Sequence, residues 1–594
     1  MTKAFLTALL VCLIATGAFG ASFSGTLTAT NGPASTGWSG GPLTGTLGYT
    51  GLVGISPPCN SLVCDIYNLS LNIPPNFYSS FPNFGVHVTL TWNSNVQDLD
   101  LYVFDSAGSL VGAAATGGTT GEDADLGPLP PGSYQIQVVP ASSLATTYSG
   151  TITIAQEPTS PSGKARYRVG NFTFASQVLA RPPQTVNSSP IGPIFFEQDA
   201  EPRVVHDLAG NIYVAAIQGV PAGTDTWKSM DAGKTFTYLG EPDGTQAVAA
   251  LGGGTGVGIG GGDEDIDVGS SGNVYLASLW LGSVTNCASS DSATTWICNP
   301  IASDLPEDDR QWVAGYGSNV VYLTTKQLGT LDNSTPSIYV AKSLDGGKTF
   351  PLVTEVTKPI FGVQPGDQGN MVVDQRNGNV YMVFIGAYPN QVYLAKSVDG
   401  GQNWILKLIY QSASGTSLQH VFPAIAVDRG GNLHVVFNDG ANSFLTSSAD
   451  QGTSWTLPVK VNNGANDKTS LEPWVIAGDA GKVDVFYYGT SASNYLDSSA
   501  QWQVFMAQTQ NAFAAVPTFY IKAATGVMHQ GAICVNGTAC AEGTRNLLEY
   551  FFPDTYFDGN ALATYPDDLH VDPTTTITRP WFLKQTGGTR IIGK

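Results

Sequence analysis

The chain has 594 residues, more than one ordinary domain needs, and its length predicts about two or three domains. Acidic residues outnumber basic ones by 46 to 26, and a formal net charge of −20 repels nucleic acid and anionic membrane surfaces. We therefore expect neither nucleic acid nor a membrane among its partners.

The first residues have the composition of a secretory signal peptide. Lys3 precedes an apolar run from Ala4 to Ala15, and the small-x-small sequence Ala18-Phe19-Gly20 follows it. The run is too short to span a bilayer. The sequence predicts a signal peptide over residues 1–20 and a mature protein that is secreted, extracellular or at the cell surface, without membrane insertion.

Residues 21–155 have the pattern of short antiparallel strands separated by turns. Tyr134, Ile136 and Val138 alternate with Gln135 and Gln137, which is typical of a strand with one buried face. This pattern predicts a jelly-roll-like β-sandwich that serves as an accessory domain.

Two stretches of this region, D-L-D-L-Y-V-F-D from Asp98 and P-G-S-Y-Q-I-Q-V from Pro131, resemble the pre-peptidase C-terminal type of domain. That family is a small jelly-roll module of secreted bacterial enzymes, in which the acidic strand can help to hold calcium. Asp98 and Asp100 share one face of the strand, so they form either such a site or a solvated face.

Five copies of the pattern S-x-D-x-G-x-(T/S/N)-(F/W) follow between Ser229 and Trp455. The aspartate accepts backbone N–H groups and closes a turn, and glycine adopts the positive φ that the turn needs. The final aromatic residue anchors the hairpin in the core. Ala293 replaces glycine in the second copy, and the five aspartates are Asp231, Asp291, Asp345, Asp399 and Asp450.

A longer repeat of about fifty residues encloses these turns. Each copy has a second strand that begins near a turn of the G-N-hydrophobic type, and these strands begin at Asn211, Asn273, Asn319, Asn379, Asn432, Lys482 and Asn560. Four-stranded units arranged radially are propeller blades, with the aspartate turn joining the third and fourth strands at the outer edge. We predict an all-β protein in which residues 198–594 form a seven-bladed β-propeller.

The alternative is a six-bladed propeller, in which residues 543–594 are a closing appendage. Residues 156–197 have the composition of a linker. Within them, the stretch from Tyr167 to Phe174 is a possible strand that closes the ring.

Six of the seven cysteines form three close pairs, which predict disulfides in an exported chain. Metal binding by these thiols is the alternative. One pair brackets the second aspartate turn and should lie across a hairpin. The pairs are Cys59 with Cys64, Cys287 with Cys298, and Cys534 with Cys540.

The aspartate turns resemble the Asp-box, or BNR-repeat, propellers of the sialidase superfamily. Secreted bacterial proteins of the sialidase-like type have similar stretches at residues 260–265, 308–312, 472–474 and 534–551. The resemblance implies the propeller fold. It does not specify the activity, because such turns also occur in other glycosidases, in photosystem assembly factors and in sorting receptors.

The sialidase mechanism that this resemblance implies needs three arginines for the substrate carboxylate, a Tyr nucleophile paired with a Glu, and an Asp as acid/base. Each candidate arginine lies near the start of a first strand. The candidate catalytic residues are Arg203, Arg310, Arg545, Asp263, Asp265 and Glu549.

This sequence departs from the sialidase pattern in two places. The arginine motif F/Y-R-I-P is absent, and Pro202 precedes Arg203 instead. Glu549 and Tyr550 are adjacent, so on a strand their side chains would point to opposite faces. Tyr487 or Tyr488 could replace Tyr550 as the nucleophile.

Propellers bind ligands where their innermost strands begin. The candidate binding residues at these starts are Glu201, Asp308, Asp309, Trp312, Asp367, His420 and Glu472. Oxygen ligands from Asp263, Asp265 and Asp267 would suit calcium. Each of these acids could instead cap a turn or bind the backbone of the neighbouring blade.

Two functions remain open. The protein is either a glycosidase of the sialidase type that acts on an extracellular glycan or glycoprotein, or a non-catalytic propeller with structural calcium that binds glycan or protein. The first requires Arg203, Arg310 and Arg545 to converge on one point, and it fails if they are ion-paired elsewhere. The sequence leaves the sugar and the oligomeric state open.

Overall fold

The computed structural model describes most of the chain. The described residues are 20–45, 64–81, 84–108, 110–114, 120–156, 162–180, 200–219, 223–244, 260–280, 283–303, 305, 308–328, 336–358, 363, 365–386, 390–413, 416–420, 422–535, 540, 544–570 and 578–593. The predicted signal peptide lies outside the described residues except for Gly20, and Cys59 also lies outside them. The chain divides into two compact units near residue 157. Within the described part, no helix is both long and apolar enough to cross a membrane.

The N-terminal unit is built almost entirely of strands. They are β1 (Ser22–Thr28), β2 (Ala34–Gly45), β3 (Asp65–Asn72), β4 (Phe84–Thr91), β5 (Asp98–Asp105), β6 (Leu110–Ala114), β7 (Gly121–Asp125) and β8 (Gly132–Gln156), with one short helix, α1 (Phe77–Ser80), between β3 and β4.

The long strand β8 organises this unit. Its first half pairs with β3 and β5, and its second half pairs with β2 and β4. Tyr134, Ile136 and Val138 are buried in the core of the unit, as their alternation predicts, and Ile152 from the second half of β8 shares that core. The assignment of the unit as a jelly-roll-like sandwich stays a prediction.

The acidic strand β5 does not present a solvated face. Asp100 is 4% exposed and accepts a hydrogen bond from the Tyr102 hydroxyl over 3.2 Å. Burial raises the pKa of Asp100 to about 7, with the neighbouring Asp98 adding to the shift. The solvated alternative is therefore wrong for Asp100, because its side chain is enclosed by protein.

The second unit begins with β9 (Arg166–Val169) and β10 (Thr173–Val178) and continues with four-stranded antiparallel sheets. The first three sheets are β11 (Ala200–His206), β12 (Ile212–Gly219), β13 (Gly223–Ser229) and β14 (Thr237–Gly240); β15 (Glu264–Val268), β16 (Val274–Trp280), β17 (Ser283–Ser289) and β18 (Ile297–Asn299); and β19 (Asp308–Tyr316), β20 (Val320–Gln327), β21 (Ser337–Ser343) and β22 (Leu352–Glu355).

The fourth and fifth sheets are β23 (Pro365–Val373), β24 (Val380–Gly386), β25 (Gln391–Ser397) and β26 (Ile405–Gln411); and β27 (Ala424–Val427), β28 (Leu433–Asn438), β29 (Ser443–Ser448) and β30 (Val459–Lys460). The sixth is β31 (Thr469–Ala477), β32 (Val483–Thr490), β33 (Gln501–Thr509) and β34 (Thr518–Ala523), with β35 (His529–Gln530) paired to β33. The seventh is β36 (Pro553–Thr555), β37 (Ala561–Asp567) and β38 (Arg579–Gly587), completed by β10.

These sheets form a closed ring. The first strand of each sheet contacts the first strand of the next, and β36 contacts both β31 and β11. The unit is therefore a seven-bladed β-propeller, and the six-bladed alternative is wrong because residues 553–587 supply three strands of a seventh blade, which β10 completes. All seven second strands begin within one residue of the position that the repeat predicts.

The segment before the first blade closes the ring. The residues from Thr173 form β10, the outermost strand of the seventh blade, antiparallel to β38. Residues 166–169 form β9 instead, which pairs in parallel with β34 of the sixth blade, and Gly163 bridges to Val459 of the fifth. The ring-closing strand therefore begins only at the end of the predicted stretch, and residues 163–178 form a belt along three consecutive blades.

Each aspartate turn lies between the third and fourth strands of its blade. In the first, Asp231 Oδ1 accepts the N–H groups of Lys234 and Thr235 at 3.0 and 2.9 Å, and Oδ2 accepts the Thr235 hydroxyl. The Ser229 hydroxyl accepts the N–H of Gly233, whose φ is 82°. These bonds lower the pKa of Asp231 to about 2 and act in turn closure.

Two of the three predicted disulfides lie within the described residues and are confirmed. Cys287 and Cys298 are directly opposite each other on β17 and β18, as predicted for the ends of a hairpin. Cys534 pairs with Cys540. Cys64 is also disulfide-bonded, whereas Cys59 lies outside the described residues.

Candidate functional site: an acidic and arginine cluster at the starts of the inner strands

Three innermost strands have a bulge near their starts whose first residue adopts a positive φ. In β11, β19 and β31 two residues face one on the neighbouring strand, which is a β-bulge. The first residue of each bulge, Glu201, Arg310 or Glu472, adopts a positive φ of 51°, 47° or 50°. Non-glycine residues in this conformation store backbone strain, which proteins concentrate at functional sites.

Arg310 is the centre of the cluster and its side chain is 3% exposed. Nη1 lies 3.4 Å from Glu201 Oε2, and Nη2 lies 3.4 Å from Asp263 Oδ2. The guanidinium carbon is 4.2 Å from the ring centroid of Tyr550 and 4.9 Å from that of Trp312. The cation is thus neutralised by two carboxyl groups and packed between aromatic rings.

Arg545 is held by Glu549, which lies four residues further along the chain. Arg545 Nε donates to Glu549 Oε1 over 3.0 Å, and Nη2 also contacts this oxygen. The backbone N–H of Glu549 donates to Glu201 Oε1 over 3.0 Å. Glu201 therefore connects both arginine pairs.

Three glutamates in and beside this cluster have raised pKa values. Burial raises the pKa of Glu201 above its usual range, Asp263 adds to the shift, and Arg310 opposes it. Burial, with Asp263 again second, also raises the pKa of Glu549. Burial also raises the pKa of Glu472, and both of its carboxyl oxygens lack a hydrogen-bond partner among the described residues.

Arg203 belongs to a neighbouring pair. It forms an ion pair with Asp265, whose Oδ2 accepts the N–H of Val313 over 2.6 Å. Asp267 Oδ2 likewise accepts the N–H of Gly315 over 2.8 Å. Asp265 and Asp267 thus fasten β15 to β19 of the next blade.

These contacts correct the predicted calcium site. Asp265 is engaged by Arg203 and by backbone, and Asp263 faces Arg310. The described residues contain no group of three or more His, Cys, Asp or Glu that could hold a metal ion. The prediction that Asp263, Asp265 and Asp267 form one calcium site is wrong, because hydrogen bonds between blades and ion pairs with arginine occupy them.

Asp309 and Asp367 surround Lys326, which donates to the Gly366 carbonyl over 2.6 Å. Burial lowers the pKa of Lys326, and the two carboxylates oppose this shift. Burial and then Asp263 raise the pKa of Asp309, so this group borders the Arg310 cluster.

The other predicted binding residues have different surroundings. Asp308 is buried, and the Trp312 ring lies 5.6 Å from that of Trp474. His420 packs against Tyr495, with ring centroids 5.8 Å apart, and burial lowers its pKa. His420 is thus placed beside the Tyr495 ring and not beside Arg310.

Tyr550 is not paired with its neighbour Glu549, as their adjacency in the chain predicts. Its ring packs against the Arg310 guanidinium, and its hydroxyl is buried without a hydrogen-bond partner among the described residues. Burial raises the pKa of Tyr550 well above its usual range, and Arg310 opposes the shift. The alternative Tyr487 bonds Asp467 over 2.7 Å, and Tyr488 stacks on Phe551.

No protein-family model matches this chain, and no curated protein matches it. Among solved structures, it is similar to the endosialidase of phage phi92, with a TM-score of 0.38 and 11% identity over 71% of this chain and 70% of that chain. An α-L-arabinanase of Penicillium chrysogenum matches with a TM-score of 0.36 and 15% identity, over 59% of this chain and 98% of that one.

A mutant of the Aleuria aurantia lectin, in complex with a fucosylated sugar, has a TM-score of 0.35 and 10% identity over 59% of this chain and 99% of the lectin. At these identities and TM-scores, the similarities carry no information about activity. The chemistry of the cluster must therefore be argued from its own residues.

Proposed function

We propose that the protein acts on or binds extracellular glycans at the Arg310 cluster, and that its preferred glycan is uncharged. The observation that supports this proposal is that Arg203, Arg310 and Arg545 are each already paired with a carboxyl group of the protein. The carboxylate of a sialoside would have to displace one of these partners. A neutral sugar would not.

The solvent-accessible members of the cluster suit a neutral sugar. The side chains of Asp263, Glu549 and Arg545 are 24%, 15% and 28% exposed, whereas Glu201 and Arg310 are buried beneath them. Carboxyl oxygens accept hydrogen bonds from sugar hydroxyls, and the guanidinium donates to them.

If the site is catalytic, Glu549 and Asp263 are the pair that fits glycoside hydrolysis. This chemistry needs one carboxyl that keeps its proton and one that is ionised. The raised pKa of Glu549 suits a proton donor, and Asp263, ion-paired with Arg310, suits the base or nucleophile. The charge of Asp263 is one cause of the raised pKa of Glu549, which supports a shared site for the two residues.

The test is a comparison of neutral and sialylated ligands on the purified protein. Fluorogenic aryl glycosides measure hydrolysis, and a glycan array measures binding. We expect a signal on neutral glycans that Asp263→Asn and Glu549→Gln reduce at least tenfold. Asp497→Asn, an exposed carboxylate in a turn of the sixth blade, is the matched control and should have no effect. A preference for sialosides would overturn the proposal.

A second candidate is hydrolysis of sialosides with Tyr550 as the nucleophile. The Tyr550 ring lies 4.2 Å from the Arg310 guanidinium carbon, and the Glu201 charge acts on Tyr550, which supports a Tyr–Glu pair of the kind that sialidases use. It requires the ion pairs of the arginines to open when substrate binds. It also requires Tyr550, which is 2% exposed, to become accessible to the substrate. Turnover of a fluorogenic sialoside that Tyr550→Phe abolishes would establish this candidate.

A further inference from the structure

A polar groove of about 430 Å³ lies on the N-terminal unit, across β3, β8 and β5. One row of paired residues crosses it, from Asn68 on β3 to Gln135 on β8 and Phe104 on β5. Strand alternation places Asn68 and Gln135 on the face opposite the core residues Leu69 and Ile136. The groove is therefore on the outer face of this sheet.

Gln137, two residues along β8, lines the groove with an unsatisfied acceptor. Its Nε2 donates to Gln135 Oε1 over 2.7 Å. Its Oε1 has no hydrogen-bond partner among the described residues, although the residue is only 6% exposed. A buried acceptor without a donor costs free energy, so a hydroxyl placed in the groove would be stabilised there.

The lining excludes several classes of ligand. Among the described residues that line it, there is one carboxyl group, that of Asp105, and no lysine, arginine or histidine, so these residues offer no cation to an anionic ligand. Phe104 and Tyr134 are 3% and 6% exposed and leave no open ring face for a nucleobase. At this position β8 is paired on both sides, so it has no free edge for a polypeptide strand.

We propose that this groove is a binding site for a neutral saccharide. Sugar hydroxyls would donate to Gln137 Oε1 and accept from the amide groups of Asn68 and Gln135. The volume lies in the range of small-molecule sites, about 300–1,000 Å³. The groove would hold a saccharide whether or not the Arg310 cluster handles one.

The test is calorimetric titration of the full-length protein with maltotriose, cellotriose and xylotriose. We expect at least one of them to bind, and Gln137→Leu and Gln135→Leu each to weaken its binding at least tenfold. Gln156→Leu, an exposed glutamine at the far end of β8, is the matched control and should leave binding unchanged. Equal thermal unfolding temperatures would show that the variants keep their fold.

Asp263→Asn removes the contribution of the Arg310 cluster to the titration. In that background Gln137→Leu and Gln135→Leu should still weaken binding at least tenfold, which separates the groove from the cluster. The proposal is overturned if none of the three trisaccharides binds, or if both glutamine variants bind as tightly as the parent protein. It is equally overturned if binding is lost in Asp263→Asn but retained in Gln135→Leu.

Discussion

The backbone N–H of Glu549 donates to the side chain of Glu201 over 3.0 Å, although 348 positions separate the two residues in the chain. Glu201 begins the first blade, and Glu549 precedes the strands of the last. The same carboxyl group faces Arg310 of the third blade. The buried Glu201 carboxyl group therefore connects the first blade to Arg310 of the third blade and to Glu549, which precedes the strands of the last blade. Its loss should affect the whole cluster.

Replacing Arg310 by methionine should strongly destabilise the propeller. The substitution leaves Glu201 and Asp263 without their cation, and breaking a buried pair in this way costs about 3–5 kcal/mol. Urea denaturation at pH 7 measures the loss. Arg376→Met is the control. Its partner is Asp374, but Arg376 is 45% exposed, so we expect a loss below about 1 kcal/mol. Equal losses would contradict the central role of Arg310.

Asp484 should make stability depend on pH. It is fully buried on β32, where Oδ1 accepts Gln508 Nε2 over 2.8 Å and Oδ2 has no partner among the described residues. Burial raises its pKa from 3.8 to about 7. The folded state therefore favours the protonated acid, and the stability that this gives is complete below pH 4 and lost as the pH rises through 7.

Asp484→Asn should consequently become more stable relative to the parent as the pH rises from 4 to 8, by up to about 4 kcal/mol. Urea denaturation across this range measures the difference. Asp497→Asn should show no such rise, because hydrogen bonds lower the pKa of Asp497. A difference between Asp484→Asn and the parent that stays constant with pH would contradict the prediction.

The glycine of the fifth aspartate turn should not tolerate a side chain. Gly452 has a φ of 89°, and a Cβ there would collide with Leu394, which is buried. Strain of about 1–2 kcal/mol and overpacking of about 1–3 kcal/mol should both destabilise Gly452→Ala. Gly464→Ala isolates the strain alone, because Gly464 has a φ of 81° and nothing within 4 Å. The thermal unfolding temperature of Gly452→Ala should therefore be well below that of Gly464→Ala. Equal decreases in unfolding temperature would rule out the packing explanation.

Removing calcium should leave the fold unchanged. Asp265 and Asp267 accept backbone N–H groups of the neighbouring blade, so their oxygens are already engaged. We expect the same thermal unfolding temperature in EDTA and in excess calcium chloride. A rise in unfolding temperature with calcium would show a site that involves other residues.

The sequence predicts the blades well because each blade repeats a local signal. A turn with Asn or Gly followed by apolar residues marks every second strand, and the aspartate turns mark the outer hairpins. The belt was harder to predict, since β9 and β10 are short and find their partners only through residues 518–521 and 581–587. Their own sequence carries no information about those partners.

The sequence indicated the region of the candidate site, but it did not indicate which of its residues pair with one another. Glu201 and Asp263 do lie beside Arg310, whereas Arg203 pairs with Asp265. The hydrogen bond from Glu549 to Glu201 joins opposite ends of the propeller sequence and has no local signal. The positive φ of Glu201, Arg310 and Glu472 has no compositional signal, because none of them is glycine. The alternation of side chains along a strand correctly predicts that Asp265 and Asp267 share one face of β15. That both accept backbone N–H groups of β19 becomes clear only from the position of the next blade.

The belt has a consequence for the order of folding. β10 precedes every blade in the chain, yet its partner β38 comes near the other end. Strand β10 therefore stays unpaired until almost the whole chain is available, and the seventh blade is the last to form. A chain exported before it folds would meet this requirement, whereas blades that emerge one at a time would stay open and liable to pair with the wrong neighbours.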